Sequence, residues 1–209
     1  MTLIKICGIT SLDDARAAVD AGADALGFNF YRPSPRYIAP QSAREIIDQL
    51  PESIMNVGVF VNAESPQLIR DIADEAAISA VQLHGDESPD YCRELAADRF
   101  VIKTLAVLSD FESRRVKDYK VQAIMLDTKD DALRGGTGRV FDWSIARQVK
   151  QLVPKLVLAG GLSPENIQEA IEMVHPYAID ACSCLEDAPG KKNHERMRVF
   201  VERIRGVKP

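Results

Sequence analysis

Two side chains in this sequence have the chemistry of a proton-transfer pair. Cys7 ends the run Lys5-Ile6-Cys7-Gly8, and Asp127 stands in Leu126-Asp127-Thr128 after a largely apolar stretch. A free thiol titrates near ~8.5, so modest stabilisation of its thiolate makes it a base or nucleophile at neutral pH. A carboxyl taken into a cavity is pushed the other way, because burial disfavours its charge; it then holds a proton and serves as a general acid. Each residue also has an ordinary reading. A free cysteine is most often a buried structural thiol, and an aspartate at a strand end is often solvated or caps a helix. Position at the rim of a shared cavity would favour the chemical reading, and position depends on the fold.

Other residues fit around such a pair. His84 follows Gln82-Leu83 and reads as a structural or substrate-contacting side chain rather than a metal ligand, since the chain has 3 histidines and His175 and His194 fall at helix ends. Arg36 lies in Arg32-Pro33-Ser34-Pro35-Arg36-Tyr37, where two prolines stiffen a loop whose guanidinium suits a bidentate grip on a carboxylate. Gly160-Gly161 precedes Ser163-Pro164, a helix start whose N–H groups favour an anion, and Asp180 to Ser183 supply the other half of a phosphate site. Gly135-Gly136-Thr137-Gly138 follows charged residues rather than a strand, so it reads as a mobile loop and not as a dinucleotide fingerprint. Cys182 and Cys184 lack zinc spacing and a partner pair, while Cys92 sits on an apolar helical pattern, so no metal site is expected.

Positioning these groups falls to eight apolar runs of strand length, at 3–7, 25–30, 55–61, 80–83, 100–105, 121–126, 155–159 and 177–181. Most are apolar on both alternating faces, as in MNVGVFV and KLVLA, which suits parallel strands covered on both sides. Helical patterns lie between them, such as Leu68, Ile69, Ile72, Ala73 and Ala76, or Ile167, Ala170, Ile171 and Val174. Ser65-Pro66, Ser88-Pro89 and Ser163-Pro164 each read as an N-cap serine with proline at the first helical position. Ser11 with Asp14 reads as a capping box, Gly22 as the end of that helix, and the last helix covers about 195–204. A helix is therefore expected after every strand. The runs recur about every 25 residues, and eight compact βα units with no long interruption predict a (β/α)8 TIM barrel, a single short-looped domain over 1–209. In that fold functional groups collect at the C-terminal ends of the strands, and phosphate frequently binds between loops seven and eight.

With 209 residues, 46% hydrophobic and 27% charged, the composition is globular and a poor fit to collagen, coiled coil or disorder. No stretch approaches the ~18 consecutive apolar residues of a membrane span, and the N-terminus lacks a secretory pattern, so the expected location is cytoplasmic with no membrane partner. The net charge is −5 and no basic tract is present, which argues against nucleic acid. The 4 cysteines are too few for a disulfide scaffold and are expected to stay reduced. Taken together, the residues predict an isomerase or lyase for a phosphorylated, dianionic or trianionic small molecule, working as a monomer or homodimer.

Seven motifs in order carry a resemblance along the whole chain: KICGIT at 5–10, GFNFYRPSPRYI at 27–38, VGVFVN at 57–62, VQLHGDE at 81–87, LDT at 126–128, GGTGRVFDW at 135–143 and LAGGLSPENI at 158–167. In them the chain resembles the N-(5′-phosphoribosyl)anthranilate isomerases of tryptophan biosynthesis. The resemblance implies a cofactor-free Amadori rearrangement of phosphoribosylanthranilate to 1-(2-carboxyphenylamino)-1-deoxyribulose 5-phosphate. It implies Asp127 as the acid that protonates the ribose ring oxygen and Cys7 as the base that removes a proton from the adjacent sugar carbon. Arg36 would hold the anthranilate carboxylate, and Gly160, Gly161 and Ser183 the phosphate.

Loop eight departs from the family pattern: Asp-Val-Ser-Ser-Gly-Val-Glu is usual where this chain has Asp180-Ala181-Cys182-Ser183-Cys184-Leu185-Glu186. A backbone needing φ > 0 at Cys184 would strain that residue by ~1–2 kcal/mol and crowd the phosphate, so weakened phosphate binding, relieved by glycine, is the expectation. The competing readings are a degenerate phosphosugar-binding barrel without turnover and a metal-dependent phosphopentose epimerase. The second needs more strand-end histidines and acids than the sequence offers.

Overall fold

The computed structural model describes residues 1–128 and 142–207, so the loop from Gly135 to Gly138 lies outside the described residues. Eight strands close into a parallel barrel in chain order: β1 (Leu3–Cys7), β2 (Ala25–Asn29), β3 (Met55–Phe60), β4 (Ala80–Leu83), β5 (Phe100–Ala106), β6 (Ala123–Asp127), β7 (Leu156–Leu158) and β8 (Ala178–Ala181), with β8 pairing back onto β1. This is the (β/α)8 TIM barrel expected from the apolar runs.

Strand alternation sorts the side chains into two cores. Ile4, Ile6, Leu26, Phe28, Ile124 and Leu126 point outward into a layer shared with the helices. Val57, Ile102, Met125 and Val157, with the small Ala25, Ala80, Ala123 and Ala178, fill the barrel itself. That division explains why the strands are apolar on both faces. The inward positions continue toward the C-terminal rim as polar groups, among them Lys5 and Cys7 on β1, Gln82 on β4, Asp127 on β6 and Asp180 on β8.

Around the barrel run α1 (Leu12–Ala21), α2 (Pro40–Ile47), α3 (Pro66–Glu75), α4 (Pro89–Leu95), α5 (Trp143–Lys150), α6 (Ile167–Val174) and α7 (His194–Arg205). The hydroxyls of Ser11, Ser65 and Ser88 cap α1, α3 and α4, each accepting from a backbone N–H at 3.2 Å. Gly22, at φ 101°, ends α1.

Three features differ from the sequence reading. Between β5 and β6 the chain forms a 3₁₀ turn, Ser113–Asp118, instead of an α-helix; only Val116 of that segment is buried, so it has no apolar stripe to hold a helix on the barrel. Ser163-Pro164 does not start α6, which begins at Ile167. There Asn166 folds the chain into a turn, accepting from the Ser163 N–H at 2.8 Å and donating to the Gly161 carbonyl at 2.9 Å. Finally, an antiparallel pair follows β8, β9 (Glu186–Ala188) with β10 (Lys191–Lys192). Among the described residues no helix is long and apolar enough to cross a membrane.

Candidate active site

Cys7 ends β1 facing into the barrel, above Lys5 on the same face. The register pairs Lys5 with Asp180 across the β1–β8 seam, and the Lys5 Nζ donates to Asp180 Oδ1 at 2.8 Å with both groups buried. Burial opposes the Lys5 charge, but Asp180 and Cys7 outweigh it and hold the ammonium protonated. Burial also pushes the Asp180 carboxyl up to about 7, against the pull of Lys5. Asp180 therefore lies in the barrel interior, beneath the rim on which Ser183 is exposed.

The Cys7 thiol is held well below its ordinary range. The leading cause is a hydrogen bond from the Cys182 thiol; burial opposes it, and the positive charges of Lys5 and Lys192 add to it. Cys182 is moved the opposite way, because it donates to Cys7 and is itself desolvated. The arrangement leaves Cys7 as the thiolate of the pair, which is the form that accepts a proton.

Asp127 closes β6 on the same rim. Its Oδ2 lies 3.4 Å from His84 Nε2, beyond the end of β4. Burial opposes a charge on His84, yet Asp127 outweighs it and raises the imidazole pKa, with the Cys7 charge contributing. His84 is oriented from behind by Gln82, whose Nε2 lies 2.9 Å from Nδ1. Asp180 likewise senses both Cys7 and Asp127. Cys7 and Asp127 thus share one electrostatic environment. Beside Asp127 opens a cavity of about 540 Å³ lined by His84, Leu105, Leu108, Phe111, Asp127 and Thr128, among others.

Gly160 follows β7 at φ +77°, and a Cβ there would run into the Thr128 backbone and the Asp127 carboxylate. Glycine is what lets the two loops touch. Gly160→Ala is expected to lower stability by ~1–3 kcal/mol through strained backbone and to lower kcat by displacing Asp127. Urea unfolding and steady-state kinetics on the one variant check both effects; unchanged kcat would separate Gly160 from Asp127.

Arg36 reaches the rim from the loop after β2. Ser34 braces that loop, its Oγ accepting from Asn29 Nδ2 and from the Arg36 N–H, both at 3.1 Å. The guanidinium is gripped by Glu186, Nε to Oε1 at 2.9 Å and Nη2 to Oε2 at 2.6 Å, which leaves Nη1 outside that grip. Glu186 also accepts from Lys192 Nζ at 2.9 Å, and Lys192 donates to the Cys182 carbonyl at 3.2 Å. The β9–β10 hairpin therefore returns two charged residues to the rim, one steadying Arg36 and the other lying under Cys182.

On the opposite side Gly160 and Gly161 both take positive φ. Ser183 begins a 3₁₀ turn, Ser183–Leu185. Cys184 lies within that turn and is not among the positive-φ residues, so the strain expected for it is absent. Its side chain packs partly buried against the outer core, and burial pushes its thiol up to about 11. Glycine at that position relieves no strain, because the 3₁₀ turn satisfies an ordinary backbone.

Lys5, Glu186 and Lys192 are the polar groups that sequence reading did not single out. A lysine at the alternating position before Cys7, inside an otherwise apolar run, was the available signal. Among the described residues no three His, Cys, Asp or Glu side chains are grouped to hold a metal ion.

Known proteins match this chain along nearly all of its length. The family model described as N-(5′-phosphoribosyl)anthranilate (PRA) isomerase matches residues 4–203. The N-(5′-phosphoribosyl)anthranilate isomerase of Thermotoga neapolitana is 45% identical, over 99% of this chain and 100% of its own length. The crystal structure of phosphoribosyl anthranilate isomerase from Thermotoga maritima superimposes with a TM-score of 0.93 at 45% identity, covering 99% of this chain and 100% of that one. A further phosphoribosyl anthranilate isomerase structure, in complex with reduced 1-(o-carboxyphenylamino)-1-deoxyribulose 5-phosphate, superimposes with a TM-score of 0.89 at 43% identity, covering 99% and 100%. With the strand-end residues in place and the match running through every strand, the chain belongs to the N-(5′-phosphoribosyl)anthranilate isomerase family.

Proposed function

We propose that Cys7 and Asp127 are the proton-transfer pair with which this chain, an isomerase of N-(5′-phosphoribosyl)anthranilate in tryptophan biosynthesis, carries out its Amadori rearrangement. Asp127 gives a proton to the ribose ring oxygen, the bond from that oxygen to the anomeric carbon breaks, and the sugar opens to a Schiff base of the anthranilate nitrogen. Cys7, as thiolate, takes the proton from the neighbouring carbon, and the resulting enolamine tautomerises to the ketone. The reaction needs one protonated and one deprotonated group on a single cavity. The observation that carries the reading is the Cys182, Lys5 and Lys192 setting that holds Cys7 as thiolate on the rim that also carries Asp127. His84, 3.4 Å from the Asp127 carboxyl, keeps it in place.

The phosphorylated end of the substrate is assigned to Gly160, Gly161 and Ser183, and the anthranilate carboxylate to Arg36. Asp180 acts beneath them by holding Lys5, which in turn supports the Cys7 thiolate. Every residue in these steps comes from one barrel, so they are the same for a monomer and for a homodimer.

Freshly prepared phosphoribosylanthranilate, followed by the loss of its fluorescence, is expected to be consumed by the purified chain with a chelator present. A folded protein that leaves the substrate untouched would sink the proposal, and turnover that requires an added metal would favour an epimerase-like reaction. Arg36→Met is expected to raise KM roughly tenfold or more with a smaller effect on kcat, given the ~1.5–3 kcal/mol of a hydrogen bond to a charged group. An unchanged KM would move the carboxylate site elsewhere.

A further inference from the structure

In the proton-transfer scheme the second thiol on the rim, Cys182, supports the Cys7 thiolate but forms and breaks no bond to the substrate. β1 and β8 are adjacent parallel strands in which Ile6 stands beside Ala181, so the next position of each places Cys7 beside Cys182. Neighbouring strands lie ~4.8 Å apart, inside the ~4.4–6.8 Å between Cα atoms that a disulfide spans. Strand alternation turns both side chains to the barrel-facing side, the side that also carries the paired Lys5 and Asp180 two positions earlier. Space around them is tight: a Cβ on Gly8 would stand 3.0 Å from Cys182 Sγ, and one on Gly27 would stand 2.7 Å from Cys7 Sγ. Lys192 Nζ lies 3.8 Å from Cys182 Sγ, a cation beside the thiol that would have to lose its proton.

The other two thiols lack this setting. Cys92 is fully buried on α4, and Cys184 is turned into the outer core; burial pushes both up to about 11. Cys7 combines thiolate character with a place at the barrel rim, and the thiol beside it is suited to resolve its oxidised form.

We infer that Cys7 and Cys182 are an oxidation-sensitive pair, closing to a disulfide when the chain meets a peroxide and reopening with a dithiol. In the first step the Cys7 thiolate attacks a peroxide oxygen, the O–O bond breaks, and the departing oxygen leaves as water or an alcohol after taking a proton. Cys7 is now a sulfenic acid. The Cys182 sulfur then attacks the Cys7 sulfur, the S–O bond breaks, and hydroxide leaves as water with the Cys182 proton. Two electrons pass from the thiol pair to the peroxide, and a dithiol returns them by exchange. With Cys7 in the disulfide, no base remains for the isomerase reaction.

Treatment of the whole chain with hydrogen peroxide, quenched with catalase, is expected to reduce its 4 free thiols to two by maleimide labelling under denaturing conditions. A digest should contain a peptide joining Cys7 to Cys182, lighter by two hydrogens than its parts. Isomerase activity should fall by ~10²-fold or more, the effect of losing a catalytic base, and dithiothreitol should restore it. In Cys182→Ser, Cys7 should instead pass on to sulfinic acid, with activity not restored by dithiothreitol relative to that variant's own starting level. A cross-link through Cys184 would overturn the inference, as would 4 thiols surviving treatment or equal dithiothreitol recovery in wild type and Cys182→Ser. Because the cross-link is read by mass, its absence and a failure of the assigned reaction are distinct results.

Discussion

Asp127→Asn is expected to lower kcat by at least ~10²-fold while moving KM little, because general acid–base catalysis typically contributes ~10²–10⁴-fold. The amide keeps the shape of the carboxyl and can still meet His84 Nε2, now 3.4 Å from Oδ2, but it has no acidic proton to give the ring oxygen. Cys7→Ala should fall by a similar factor, for loss of the base. The double variant should fall by less than the product of the two losses, since residues acting as a unit are not additive. Steady-state kinetics on variants whose thermal midpoints match wild type would measure this, and near wild-type turnover in either single variant would remove that residue from its role.

The second large effect is on stability. Lys103 on β5 and Glu87 after β4 are both buried to within about 2%, with Nζ and Oε2 2.5 Å apart. The ammonium also donates to the Gly85 carbonyl at 2.6 Å, while Glu87 Oε1 accepts the Asn62 N–H at 2.9 Å and the Gly85 N–H at 3.1 Å. One ion pair thus ties the loops after β3 and β4 to strand β5, directly behind His84. Lys103→Met strips the partner from a carboxylate that water cannot reach, a change that typically costs ~3–5 kcal/mol. Replacing both residues with methionine should recover part of that loss, because no isolated charge remains. Urea midpoints for the single and double variants test this. A loss below ~1 kcal/mol in Lys103→Met, the size of an exposed pair, would mean that Glu87 finds solvent or a proton.

The parts of this molecule legible in its sequence are those written in short-range periodicity. MNVGVFV and KLVLA are apolar on both faces because the barrel has a core inside and another outside, and that pattern is local to each strand. Cys7 and Asp127 could be singled out because each ends such a run in a fold where strand ends meet. The Lys5–Asp180 pair could not, since its members lie 175 positions apart and only the β1–β8 register joins them. The same holds for Arg36 with Glu186, where a loop-borne arginine and a hairpin-borne glutamate meet across 150 positions. Segment 113–118 shows the reverse error: a regular alternation of strands and helices suggested a helix that the local residues, with Val116 alone buried, could not anchor. Cys184 departs from the family pattern in residue type, a departure that carries no information about φ, and the 3₁₀ turn around it accommodates the side chain.

Closure of the barrel by its first and last strands has a bearing on how the chain is made. During synthesis β1 emerges early, pairs with β2 on one side, and has no partner on the other until Ala178–Ala181 leaves the ribosome. For that interval its outer backbone groups form an open edge of a hydrophobic sheet, the kind of surface on which nascent chains associate wrongly. Lys5 sits on that strand on its barrel-facing side, and an inward-pointing charge on an uncovered edge strand is a deterrent to edge-to-edge pairing. The ammonium that later anchors Asp180 beneath the reactive thiol is thus also placed to guard the seam before its partner strand exists.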